Sequence, residues 1–128
     1  MADRQCYIDK VLAYFTALDE RRLDDVLSYF DDDALFIVQS AYIECRGRAA
    51  IRAMFEQYLA TYVHGLHTDF EHIVDAEHGS ISSRFRVELE TAEGLRETRH
   101  SVNHWYFSGE RFARVYVWIS GENVLQGG

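Results

Sequence analysis

The hydrophobic period changes once along this chain, from three-to-four residues to two, and that change limits the folds open to it. In the first half apolar residues recur at helical spacing: Ile8, Val11, Leu12, Phe15 and Leu18, then Leu23, Val26, Leu27 and Phe30, then Ile51, Met54, Phe55, Tyr58, Leu59 and Tyr62. After His67 the pattern alternates. Ile81, Ser83, Phe85, Val87 and Leu89 share one strand face, while Arg84, Arg86, Glu88 and Glu90 share the other. Amphipathic helices followed by one-sided strands must lay the helices on one face of a sheet. This predicts an α+β layer fold with a mostly antiparallel sheet.

The boundaries follow from breakers and caps. The first helix is expected over about Asp3 to Asp19, and the second should end in solvent at Asp31 to Asp33. Leu35 to Val38 is a compact apolar run too short for a helix and reads as a strand, with Ser40 to Arg46 looping or loosely paired after it. Gly47 opens a third helix that should stop near Gly65. Turns at Gly79, Gly94 and Gly109 then divide the remainder into strands at about 68–75, 80–91, 96–107 and 111–119. No proline interrupts them and no segment repeats, so one domain over 1–128, with a core of about 5–120, is expected.

Composition narrows the partners. Hydrophobic residues at 48% and aromatics at 14% can fill an interior without a metal or disulfides. A formal charge of −8, from 21 acids against 13 bases, repels nucleic acid phosphates and anionic membranes, so neither is expected as a partner. Cys6 and Cys45 show no metal-ligand spacing, and the charged N-terminal segment lacks the apolar stretch of a signal peptide. No run approaches the roughly 18 to 20 apolar residues of a membrane span. The cytoplasm is the expected location.

The stretch from Tyr14 to Val38, YFTALDERRLDDVLSYFDDDALFIV, followed after a break by GRAAIRAMF ending at Phe55, resembles the opening of SnoaL-like proteins in the nuclear transport factor 2-like superfamily. The likeness runs from about Ile8 to Ile119. It implies a cone: three N-terminal helices packed on a curved sheet, enclosing one apolar pocket for a small molecule. Relatives that are cofactor-free dehydratases and dehydrohalogenases use a histidine base oriented by an aspartate. The aspartate ends the first helix, and the histidine lies just beyond the third. The positions that match are Asp19 and His67.

The chemistry suits the residue types. An imidazole, whose ordinary pKa is about 6.5, can accept a proton at neutral pH, and a carboxylate on its other nitrogen holds the tautomer and stabilises the imidazolium. Donors aimed at developing charge must supply the rest. Tyr14 coincides with the oxyanion-hole tyrosine of ketosteroid isomerases, which this chain also resembles. Asn103 stands where those enzymes hold a protonated aspartic acid, and its amide can still donate. Val38 replaces their general base, which argues against steroid isomerisation by that route.

Phe15, Phe36, Val38, Phe55, Phe85, Val87, Trp105 and Val117 are the candidate substrate-binding residues of such a pocket, and Phe36, Phe85, Val87, Trp105 and Val117 read equally as core. It implies a lyase or isomerase acting by elimination, dehydration or isomerisation on a small apolar cyclic substrate, with no cofactor and no metal. Many relatives dimerise through the outer sheet face. That face here would carry His100, His104, Tyr106, Arg114, Tyr116 and Trp118.

Each residue also has a plainer reading: His67 as a helix-end cap, Asp19 as a solvated acid, Tyr14 as a core tyrosine, Asn103 as a strand-edge partner. Arg46 and Arg48 around Gly47 read as a solvated helix start rather than an anion site, and Glu71, His72, Asp75, Glu77 and His78 as a solvated turn. A binding or dimeric interaction module of the same fold is the alternative function. It predicts polar groups that fail to converge, with Asp19 and His67 more than about 3.5 Å apart and Tyr14 also pointing away.

Overall fold

A computed structural model describes residues 3–122, 124 and 125; the ends of the expected 1–128 span and residue 123 lie outside the described residues. The element order is α1 (Arg4–Asp19), α2 (Leu23–Ser28), β1 (Phe30–Val38), β2 (Ile43–Arg46), α3 (Gly47–Thr61), β3 (Tyr62–Asp75), β4 (Ser80–Thr91), β5 (Arg96–Ser108) and β6 (Arg111–Ile119). The strands form one sheet in the order β2-β1-β6-β5-β4-β3, curled but unclosed, with the three helices packed against it. Every neighbouring pair is antiparallel except β1 with β6. No described helix is long and apolar enough to cross a membrane.

Local chemistry sets the helix ends. Asp3 caps α1 by accepting from the Cys6 N–H at 3.0 Å, a contact worth about 1 kcal/mol. At the far end of α3, Arg21 donates to the carbonyls of Leu59 (2.5 Å) and Tyr62 (2.8 Å). Those carbonyls lack helical partners, so the guanidinium satisfies them and ties the α3–β3 junction to the end of α1.

Four boundaries differ from the sequence reading. Helix α2 stops at Ser28, and Asp31 to Asp33 lie on β1 rather than ending a helix in solvent. Phe30 and Leu35 both pair with β6, so the intervening residues bulge and hold their carboxylates outward; Asp32 meets Arg48 at 3.0 Å. Arg48 also donates to the Phe30 carbonyl at 2.6 and 2.9 Å, which makes it a brace for the bulge. Of the loop or loose pairing expected over Ser40 to Arg46, Ile43–Arg46 takes the paired form, as an edge strand against β1.

Helix α3 ends at Thr61, four residues early, because Tyr62 already pairs with Thr91 of β4. His67 is therefore in the middle of β3, opposite Val87. Just past it, β3 shifts register between Thr68 and Glu71, with Asp69 at φ 58°. Such a bulge bends the strand and increases its twist, which helps curl the sheet over the helices.

The concave face carries the apolar set that the alternation requires: Ile81, Phe85, Val87 and Leu89 of β4 are all buried, as are Val115 and Val117 of β6. Tyr14 of α1 sits at the centre of an aromatic cluster, with ring centroids 5.2 Å from Phe112, 5.7 Å from Phe30, 6.3 Å from Trp105 and 6.4 Å from Phe55. Edge-to-face geometry dominates these pairs, the arrangement that ring quadrupoles favour.

Candidate active site

The concave face and the helices line a narrow cavity of about 30 Å³. Helix α1 contributes Tyr14, Phe15 and Leu18 to the wall, β1 contributes Phe36, and α3 contributes Phe55 and Tyr58. His67, Phe85, Val87, Leu89, Ser101, Asn103, Val117 and Ile119 come from the sheet, and Val124 and Leu125 from the segment beyond β6. Val38 and Trp105 do not reach this wall. Both are fully buried, and Trp105 is occupied by the rings of Phe15 and Phe112.

Asp19 and His67 meet at the edge of the cavity. Asp19 is the last residue of α1, and the tie between Arg21 and the end of α3 brings β3 alongside it. One carboxylate oxygen accepts from the His67 backbone N–H at 2.9 Å; the other lies 2.6 Å from His67 Nδ1. A carboxylate only accepts, so Nδ1 carries the proton and Nε2 is the basic nitrogen. The imidazole stacks on Phe15 at 4.4 Å with planes 25° apart, and Phe85 flanks it at 5.5 Å. The two side chains are only 8% and 15% exposed, so the pair works largely away from bulk water.

Asn103 is held from the side. Ser101 Oγ lies 3.1 Å from Asn103 Oδ1 and 2.9 Å from the Trp118 carbonyl. Ser101 has a single hydroxyl proton for these two acceptors and donates to one at a time, while the Asn103 side chain also lines the cavity. Tyr14 is fully buried; desolvation first, then the nearby Tyr58 and Asp19, push its phenol well above the ordinary tyrosine range, so the hydroxyl keeps its proton and can act as a donor. Tyr58 is shifted the same way by burial and by Asp19.

The sequence reading did not single out Tyr58, Ser101, Leu18, Leu89 or Ile119 as site residues. Ser101 was within reach, since strand alternation puts it on the same face as Asn103. Tyr58 was hidden inside an apolar helical stripe that reads as core, and nothing periodic flags Val124 or Leu125. For metals, the described residues bring ligand atoms together at Asp75, Glu77 and His78, within 4.8 Å of one another, but all three are exposed and lie off the cavity wall.

These features describe a cone-shaped α+β fold with an apolar cavity and a few inward polar groups. The model of the SnoaL-like domain matches residues 11–115, and the chain belongs to that family within the nuclear transport factor 2-like superfamily. Among solved structures it is similar to a protein from Bacillus subtilis described as an isomerase, with a TM-score of 0.85 and 16% identity over 94% of this chain and 90% of that one. It is also similar to a Xanthomonas campestris protein described as a polyketide cyclase, with a TM-score of 0.82 and 17% identity over 91% and 92%. TerC, co-crystallised with polyporic acid, gives a TM-score of 0.76 and 15% identity over 88% and 89%. No curated protein sequence matches.

Proposed function

We propose that the protein is a cofactor-independent lyase or isomerase acting on a small, apolar, cyclic organic molecule that carries a carbonyl. His67 Nε2 removes a proton from carbon next to the carbonyl; Asp19 holds the ring and stabilises the imidazolium; Tyr14 and Asn103 donate to the oxygen as it gains negative charge. Expulsion of a β-leaving group then gives elimination or dehydration, and return of the proton to another carbon gives isomerisation. The observation that carries this reading is the double contact of Asp19 with His67. At 2.6 Å it also disfavours the non-catalytic module, which called for separated groups.

A structural neighbour adds support. TerC was crystallised with an organic acid, which fits a cone that takes small organic ligands. The open volume is too small for a ring as it stands, so a cyclic substrate enters only if side chains of the wall move. The outer sheet face supports a homodimer: Val102 and Trp118 are 38% and 46% exposed, and Arg114 lies over the Tyr106 ring at 4.1 Å.

The test is hydrogen exchange rather than a guessed substrate. A panel of cyclic ketones and β-hydroxy ketones is incubated with the protein in D₂O, and loss of the α-proton signal is followed by NMR. Exchange that His67→Gln abolishes, with the circular dichroism spectrum unchanged, supports the assignment. Equal exchange in both proteins, or none in the wild type across the panel, removes it.

A further inference from the structure

The hydroxyl of Tyr58 is buried and has no hydrogen-bond partner among the described residues, although the side chain lines the cavity. Buried phenols in folded proteins almost always find a partner, and an exception at a cavity wall points to one supplied from outside the chain. The position opposite it sharpens the case. Gly65 lies on β3 across from Leu89, itself on the cavity wall, so position 65 faces the same interior.

Gly65 does not have a positive φ, so the backbone does not call for glycine. Space does: a Cβ there would come within 2.6 Å of the Tyr58 oxygen, while the ring carbon bearing that oxygen would be 3.7 Å away, an ordinary contact. The missing side chain accommodates the hydroxyl and not the ring. A purely structural role for position 58 would be met by phenylalanine facing alanine, with no orphaned polar atom.

We propose that Tyr58 is a ligand-binding residue that donates its hydroxyl proton to an oxygen of a ring compound held in the cone. The hydroxyl calls for an acceptor oxygen, carbonyl, phenol or enol, directed at the α3 end of the cavity, and the ring is carried over from the proposed function. Burial and the Asp19 carboxylate both favour the protonated phenol, so the group acts as a donor. This deepens the proposed small-molecule site but does not depend on His67 chemistry.

The test uses p-cresol and toluene, which share a ring and a methyl group and differ in one oxygen. Affinities are measured by NMR titration of the full chain, and thermal stability by calorimetry, for wild type, Tyr58→Phe, Gly65→Ala and the double variant. The wild type should bind p-cresol at least tenfold more tightly than toluene. Tyr58→Phe should reduce that preference to below threefold by weakening p-cresol alone, with the melting temperature unchanged or raised. Gly65→Ala should lower the melting temperature in the wild-type background and much less in the Tyr58→Phe background.

Full p-cresol preference in Tyr58→Phe, or a clear loss of stability in that variant, overturns the proposal while leaving the cavity reading intact. Failure of both toluene and p-cresol to bind at millimolar concentration overturns the cavity reading and this assignment together.

Discussion

Asp19 holds His67 by two hydrogen bonds at once, one to the backbone N–H and one to the ring Nδ1–H. The two contacts have different consequences. The first joins the end of α1 to the middle of β3, and the second sets which imidazole nitrogen is basic.

Asp19→Asn separates them. An amide has one acceptor oxygen, so it can serve only one of the two donors while its NH₂ faces the other. We expect turnover or α-proton exchange to fall by about 10² or more, as when the carboxylate of a catalytic triad is made an amide, and stability to fall by about 1–3 kcal/mol. Exchange kinetics and urea denaturation check the two parts.

Ser101→Ala should act on the ligand more than on the fold. Asn103 loses the hydroxyl that holds its amide oxygen, and the buried amide is then free to turn. A stability loss near 1 kcal/mol is expected with a larger proportional rise in KM or Kd. Ser101→Thr, which keeps a hydroxyl, should restore part of the binding.

Phe112 contacts Tyr14, Phe30, Trp105 and Phe107 and is fully buried. Phe112→Ala should cost about 3–5 kcal/mol, read as a lower denaturation midpoint at constant slope.

Stability should fall between pH 7.5 and 5.5 through His72 and His104. Burial, with Arg4 near the first and Arg114 near the second, holds both below the ordinary histidine pKa. The unfolded chain therefore takes up protons first as the pH drops through about 6.5, and their contribution, full above that value, is lost below it. Denaturation midpoints at the two pH values should differ less in a variant carrying His72→Gln and His104→Gln.

Trp118→Arg places a charge in the exposed aromatic face and should shift the protein to a monomer in light scattering without changing its far-ultraviolet spectrum. A wild type that is already monomeric at micromolar concentration sinks the dimer.

Period and composition were enough for the layer fold, and the face assignments on β4 and β5 follow from alternation alone, because a strand side chain has only two directions to take. The resemblance carried Asp19 and His67 as a pair, though it set His67 just after a helix. Helix and strand propensities at Tyr62 to Gly65 are close, and pairing with β4 decided for strand. Tertiary structure alone made Asp31 to Asp33 a bulged strand, left Val38 and Trp105 off the cavity wall, and added Val124 and Leu125 to it. It also left the Tyr58 hydroxyl facing a glycine. Each of these depends on contacts between residues far apart in sequence, where local pattern has no information. The residue types come from the chain, and their distances come from how the curled sheet meets the helices.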